Sequence, residues 1–490
     1  MNSELKGSVS TEVIRTNRNL VLKRVTVGFF KLKHYELCIM NCELKSTGAM
    51  TRKALSVAWP AMTESFFVAL AGMIDTMMVS ALGSYAVAAV GLTNQPKFIG
   101  LTIFFGINVA VSALVARRKG EQRQDTANQI LLTAIILACI ACVAVSVLFV
   151  VFAPWMMQLA GSNADTHEAS VIYFRIIMGG TFFNVITMVI NSAQRGSGNT
   201  KLSMTTNLTS SVVNIIFNYL LIEGHFGFPR WGIRGAAIAT VLGTVVAAGM
   251  AVSSLFRRNS YVRIPLMRDL KLRFSRSCAK SIWNLAMNTS LENIAARVRF
   301  LATAMIAARL GTDEFAAHNI GMSILGLGFS FADGMQVAAV ALAGESLGAG
   351  EKEMAKRYGS ICQRIGLLIS FILAMLLFFG GRWFYGLYFK EAHILEMGEL
   401  ICRYLILIVL LQISQIIFTG CLRAAGDVRY VLYAAMISIA GIRTLSTLLM
   451  VNVFGWGLTG VWLGILADQL SRFIMVSLRF KQGKWVNLKI

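Results

Sequence analysis

The sequence predicts an all-α membrane protein: twelve transmembrane helices in two parallel six-helix repeats, forming two lobes. Three observations carry this expectation. The 490 residues are 56% hydrophobic and only 14% charged, where a soluble protein carries about a quarter charged residues. Lys and Arg gather in alternate gaps between long apolar runs. A single sequence offset relates the two halves of the chain.

The apolar runs come first. Segments such as 127–152, 366–380 and 402–420 approach or reach the length of about 20 residues that spans a bilayer as a helix. The expected spans are 54–79, 88–115, 127–152, 169–192, 202–222 and 233–256, then 281–307, 315–343, 359–380, 397–420, 430–451 and 458–478. Residues 1–49 are basic and weakly periodic, and are expected to be a disordered cytoplasmic extension. Alternatively Met50 is the natural start, since "MTRKALSVAWP" reads as an entry into the first span. The first apolar run, near 25–30, is short and mixed with Lys, unlike a secretory signal.

The basic gaps set the orientation. The net charge is +22, which raises nucleic-acid binding as a rival. The placement of the charge excludes nucleic acid as a partner. Arg117, Arg118, Lys119 and Arg123 fill one gap, and Arg257 to Lys280 another. Lys352, Lys356 and Arg357 fill a third, and Arg479, Lys481 and Lys484 follow the last run. The intervening gap "GSNADTHEAS" (161–170) has no Lys or Arg. Under the positive-inside rule, this threads a multi-pass protein of the cell (inner) membrane with both termini cytoplasmic. The lobes are expected at 50–256 and 281–478, the basic cytoplasmic linker at 257–280 and the tail at 479–490.

The repeat follows. "QRGSGNTK" (194–201) has an echo in "LRAAGDVR" (422–429): Arg195 matches Arg423 and Gly198 matches Gly426, each 228 residues apart. The same offset pairs Gly106 with Gly334 and Gly120 with Gly348. After Gly227 it becomes 225, and "FPR" (228–230) accounts for the change. Six spans per unit put both lobes in one orientation. Substrate sites in transporters built from repeats lie near the membrane midplane.

Charges inside the spans are costly and mark function by default. Glu64 and Asp75 lie eleven residues apart on the first span, close to three turns and hence on one face. Glu64 has a repeat mate, Glu292. Asp75 does not, since its mate is Thr303. On the fifth span Asn207, Asn214 and Asn218 share a face. The mates of Asn214 and Asn218 are Ile442 and Ser446, and Asn191 corresponds to Thr419. The N-lobe therefore holds a carboxylate and an amide set that the C-lobe lacks. Such a set can hydrogen-bond a neutral carboxyl or help hold a hard cation. Arg297 and Arg299 follow Glu292 and are candidates to neutralise it. The CxxC at Cys139 and Cys142 sits in an apolar helix and reads as buried, inert thiols. There is no GxxxxGK[ST] loop, no HExxH and no Ser/His/Asp set. Neither ATP nor any other cofactor is expected, and the protein is not expected to be an enzyme.

"MIDTMMVSALG", "NSAQRGSGNTK", "LGTDEFAAHNIGMSI", "FADGMQVAAVALAGESLGAGEKEMAKR" and "TGCLRAAGDVRY" together resemble the MATE (multidrug and toxic compound extrusion) family over about residues 50–480. The resemblance implies a V-shaped pair of bundles around a central cavity. It implies export of organic cations, drugs or other amphipathic compounds in exchange for H⁺ or Na⁺. Asp75 matches the family's first-helix coupling aspartate and Pro60 a proline where that helix is proposed to bend. Tyr173, Asn191 and Asn214 match polar residues around the aspartate, and Glu292 a glutamate used by some members. A sodium ion would be held by Asp75, Asn214 and Asn218. Two departures stand out: Asn218 replaces an aspartate of some members, and Gln412 and Gln415 stand where others carry an acid. Membrane lipid is the expected surrounding and a monomer the expected assembly. A lipid or oligosaccharide flippase of the same superfamily is the alternative, and a non-transporting receptor or scaffold is the alternative of another class. The candidate cavity residues, acidic and amide, favour the first reading over the flippase.

Overall fold

The computed structural model describes residues 47–258, 260–386 and 388–488. The expected extension at 1–49 lies outside the described residues except for its last three. The chain divides into two compact units, Met1–Lys53 and Ala54–Ile490. In the first, the described residues are helical, and Thr51 Oγ1 donates to the Thr47 carbonyl at 2.9 Å. The second unit holds the remainder and the sites below.

Twelve long helices follow in order. They are α1 (Thr47–Ser80), α2 (Ser84–Gly120), α3 (Gln124–Val151), α4 (Ala164–Gly179 and Thr181–Gly196, bent by 46°), α5 (Thr200–Ile222) and α6 (Ile233–Ser254). The second half has α7 (Arg276–Leu310), α8 (Thr312–Gly348), α9 (Lys352–Gly386), α10 (Ala392–Ala424), α11 (Val428–Val453) and α12 (Gly457–Gln482). The architecture is a twelve-helix, two-lobed membrane fold. Many helices extend past the expected spans, because the apolar window ends where the charged residues of the interface begin while the backbone bonding does not. In α2 the last turn carries Arg117, Arg118 and Lys119.

Ten of these helices are apolar and long enough to cross a bilayer, counting bent α4 as one. The exceptions are α5 and α7. Their polarity has a structural reason: α5 offers three asparagines and α7 the ion-paired Glu292 and Arg299 to the protein interior, as described below. α3 is the opposite case, the most apolar and one of the least buried, as expected of a lipid-facing helix.

The segment between the lobes is packed in place. A short helix, Ile264–Asp269, lies within it, and Val262 and Met267 are buried with residues of α2 and α3. Asn128 Oδ1 accepts from the Arg263 N–H at 2.8 Å and Gln124 Nε2 donates to the Tyr261 carbonyl at 2.7 Å. Cys139 and Cys142 are free thiols, the first half-buried and the second buried.

Candidate functional site: two acid–amide rungs and a central cavity

α1 and α5 run side by side in one direction, and their bonds keep a constant sequence spacing. Thr200 Oγ1 donates to the Val57 carbonyl at 2.8 Å, Asn207 Nδ2 to Glu64 Oε1 and Asn218 Nδ2 to Asp75 Oδ1, each across 143 residues. Helices of equal rise must keep that spacing, and the two carboxylates stand about 16 Å apart along the axis. The bond from Thr200 lies beside Pro60, which has no N–H for the carbonyl four residues back. α1 runs unbroken through Pro60.

At the first rung Glu64 is buried. It accepts from Arg195 Nη2, from Ser203 Oγ at 3.2 Å and from Asn207. The C-lobe repeats the pairing: Arg423 Nη2 donates to Glu292 Oε2 at 2.7 Å. The neutralisation of Glu292 by Arg297 or Arg299 is corrected here. The neighbour that pairs with it is its lobe's own Arg423. Arg299 instead donates to Asp468 at 3.0 Å, and the Arg297 guanidinium lies 4.2 Å from the Phe98 ring centroid. The i+5 position turns Arg297 to another face of α7, while Arg299 at i+7 shares the face of Glu292 but stands two turns, about 10 Å, further along the helix.

At the second rung Asp75 is half-buried and Asn218 fully buried. Asn214 is within reach of the Asp75 carboxylate and donates to Thr240 Oγ1 at 3.1 Å. The Tyr173 hydroxyl, also buried, meets Thr240 as well. Asp75, Tyr173, Asn214 and Asn218 are thus brought together inside the N-lobe. Asn191 is placed elsewhere, with Nδ2 3.5 Å from Asn207 Oδ1 beside the first rung.

Two residues near Asp75 escaped the sequence. Thr240 carries no signal, being one of many threonines in apolar helices. Lys97 does: it is a lone lysine in the middle of an apolar run. It is half-buried and within electrostatic range of Asp75.

Between the lobes lies a cavity of about 680 Å³. Glu64, Asn191 and Asn207 line it, whereas Asp75, Tyr173, Asn214, Asn218 and Glu292 do not. The expected acidic and amide character is only half met. Asparagines from α2, α4, α5 and α7 are present, but Arg195, Arg297 and Arg423 line the cavity against the carboxylates Glu64 and Asp333. Arg195 and Arg423 are spent on their glutamates. Arg297 and Asp333 have no ion-pair partner among the described residues, so the cavity presents one free charge of each sign. The sequence argument failed because it counted acids in the helices without the arginines that face them.

The lobes meet closely at the end that carries the basic gaps. A Cβ on Gly120 of α2 would stand 2.8 Å from the Ala349 nitrogen, and one on Gly348 of α8 would stand 2.9 Å from the Arg117 carbonyl carbon. These repeat mates let two helix ends cross in backbone contact. Lys119 Nζ adds an ion pair to Glu345 across the same contact, at 3.2 Å.

Two lobes closed at one end around a polar cavity, with carboxylates held on the spanning helices, define a multi-pass membrane transporter. Comparison with known proteins gives the family. The MatE family model matches residues 60–220 and, a second time, residues 289–449. The chain belongs to the MatE (MATE) family. Among its relatives, "Probable multidrug resistance protein NorM" of Thermotoga maritima is 26% identical over 89% of this chain and 93% of its own length. "Uncharacterized transporter YisQ" of Bacillus subtilis is 24% identical over 90% of this chain and 97% of its own. Two solved structures share the fold, each with TM-score 0.81, 23% identity and 89% of this chain covered. One is the outward-facing conformation of a multidrug resistance MATE family transporter of the MOP superfamily, covered over 97%. The other is a MOP superfamily transporter from Pyrococcus furiosus, covered over 95%, described by the reverse polarity of its binding pocket.

Proposed function

We propose that the protein is a secondary active antiporter that exports amphipathic organic compounds, drugs and organic cations among them, in exchange for protons, with sodium as the alternative ion. It acts as a monomer in the lipid of the cell (inner) membrane with both termini cytoplasmic. The basic end is then inside, and the cavity is reached from outside. The observation that carries the reading is the Asp75 rung, a carboxylate inside one lobe, apart from the cavity and unmatched in the other lobe. Ionised, it needs donors, water or a cation. Protonated, it suits a closed, dry lobe. An ion that binds two states differently biases the switch between them. Each proton moving inward down 100 mV supplies roughly 2.3 kcal/mol.

A proton requires one carboxylate oxygen, whereas a hard cation requires several oxygens facing it. Asn218, a neutral amide, stands within hydrogen-bond distance of Asp75 where a second carboxylate would favour a cation, which supports the proton. The multidrug resistance named for its relatives supports drug-like substrates. Pro60 is the proposed bending point of α1.

The test is export from proteoliposomes with imposed pH or sodium gradients, against a panel of organic cations. Wild type should pump under a pH gradient. Asp75→Asn, nearly isosteric with the protonated acid, should keep its fold and substrate binding but lose uphill export. Uphill export at a normal rate by Asp75→Asn refutes the coupling role. Free Arg297 favours a second reading, flipping of anionic amphiphiles, which the same vesicles test with a labelled anionic lipid.

A further inference from the structure

The interiors of the two lobes carry opposite charge. Where the N-lobe has Asp75, the C-lobe has Thr303, and Thr303 Oγ1 accepts from Arg443 Nε at 3.0 Å. Arg443 from α11 meets Arg299 from α7 and Arg472 from α12 around one fully buried carboxylate, Asp468. Asp468 Oδ2 accepts from Arg299 Nη1 at 3.0 Å and from Arg443 Nη1 at 3.3 Å. Its Oδ1 accepts from Ser438 Oγ and lies 3.5 Å from Arg472 Nη2. Three hydrogen bonds and the Arg472 ion pair crowd a carboxylate that offers about four lone-pair sites in all.

The arginines are not used up. Arg299 Nε, Arg443 Nη2 and both Nε and Nη2 of Arg472 are buried and have no hydrogen-bond acceptor among the described residues. Arg299 and Arg443 are 4% and 1% exposed. Of the charges that act most strongly on these two, Asp468 is the one carboxylate. Three guanidiniums and one carboxylate leave two positive charges in excess. Burying a charge without a counter-charge is costly, most of all at membrane depth. Ser438 and Arg443 also stand on a π-helical turn, Ile437–Arg443, a wide turn that frequently marks functional sites.

We propose that this cluster is an anion site in the C-lobe. Arg299, Arg443 and Arg472 supply the donors, and Asp468 holds them converged. Guanidinium donors in excess select an anion. Their buried atoms are closed to a water-sized sphere, which rules out a transported solute, so the ion must be small, such as chloride, and is admitted by a shift of the guanidiniums and not through an open cavity. The N-lobe would then hold a cation and the C-lobe an anion at comparable places in the repeat. The proposal does not depend on the antiport reading, and its failure would leave that reading untouched.

The test uses the full chain purified in detergent. Melting is followed while chloride replaces gluconate at constant sodium and ionic strength, so that general screening is held fixed. A saturable rise in Tm of a few degrees is expected. It should be lost in Arg443→Gln and weakened in Arg472→Gln. Arg472 stands at the edge of the cluster, so its variant carries the test if Arg443→Gln does not fold. Bromide in place of chloride should give an anomalous scattering peak among the three arginines. A wild-type Tm indifferent to chloride, or a rise of equal size in Arg472→Gln, would overturn the proposal in favour of a purely structural cluster.

Discussion

Arg195→Gln removes the cation of the first rung and leaves Glu64 with Asn207 and Ser203. Stranding a buried charge costs about 3–5 kcal/mol. Arg195 keeps 28% of its side chain accessible and Glu64 7%, so water on the cavity side softens the loss to about 2–3 kcal/mol. Glu64→Gln should cost less, about 1 kcal/mol, because a neutral amide still bonds Asn207 and Ser203. In the double variant nothing is stranded, so the losses should fall short of their sum by about 1–2 kcal/mol. Equilibrium unfolding in mixed micelles measures all four corners of the cycle. The C-lobe pair, with side chains 11% and 13% accessible, should give a coupling of the same sign. If coupling in the first pair lies below about 0.5 kcal/mol, or if the Arg423–Glu292 cycle is strictly additive, the pairs are not the duplicated tie inferred here.

Gly120→Val should push the basic ends apart and depopulate the closed state, read as a longer spin-label distance between α2 and α8. Gly249→Ala, whose added Cβ meets nothing within 4 Å, should leave that distance unchanged. An unaltered distance in Gly120→Val would remove the glycine contact from the closure. Lys97→Met takes a positive charge out of range of Asp75 and should slow proton-driven export while the protein still folds. Export at the wild-type rate contradicts the pairing. Cysteines placed at 161–168 should react with an impermeant label from outside and those at 257–280 only after lysis, and the reverse pattern refutes the orientation.

Helix number, order and the repeat were legible in the sequence because they follow from local hydropathy and a constant offset. So was the partnership of Asp75 with Asn218, since acids and amides spaced eleven apart on parallel helices must meet together or not at all. Other parts depended on tertiary facing. No spacing rule shows that Glu292 finds Arg423 from another helix, or that Arg299, on the same face of α7, is met by Asp468. The helix ends were misplaced wherever charged residues carry a helix into the interface, as in α2. The bend in α4 between Gly179 and Thr181 was hidden because hydropathy continues across it.

A division runs through these charges. Glu64 and Arg195 have mates that are Glu292 and Arg423, and both pairs tie helices within a lobe. Arg175 also has a mate, Arg403, whereas seven further membrane charges occur once. At the repeat offsets Lys97 faces Leu325, Arg297 faces Ala69, Arg299 faces Ala71 and Asp333 faces Phe105. Asp468 likewise faces Gly243, Arg443 faces Ile215 and Arg472 faces Ala247. In each case the other lobe folds with a small or apolar residue in the same place. The fold itself therefore does not require the charge, which costs roughly 3 kcal/mol to place at the centre of a membrane helix. Architecture explains what is made twice. Under the proposed antiport, the ionic asymmetry, a carboxylate with its amides in one lobe and an arginine cluster in the other, is where a chain of two similar halves would acquire direction. Making the lobes alike is thus the most direct challenge to it. Asp75→Thr, which copies the C-lobe residue into the N-lobe, should fold and insert but should not couple export to a proton gradient. Gradient-driven export by that variant would show that direction arises elsewhere.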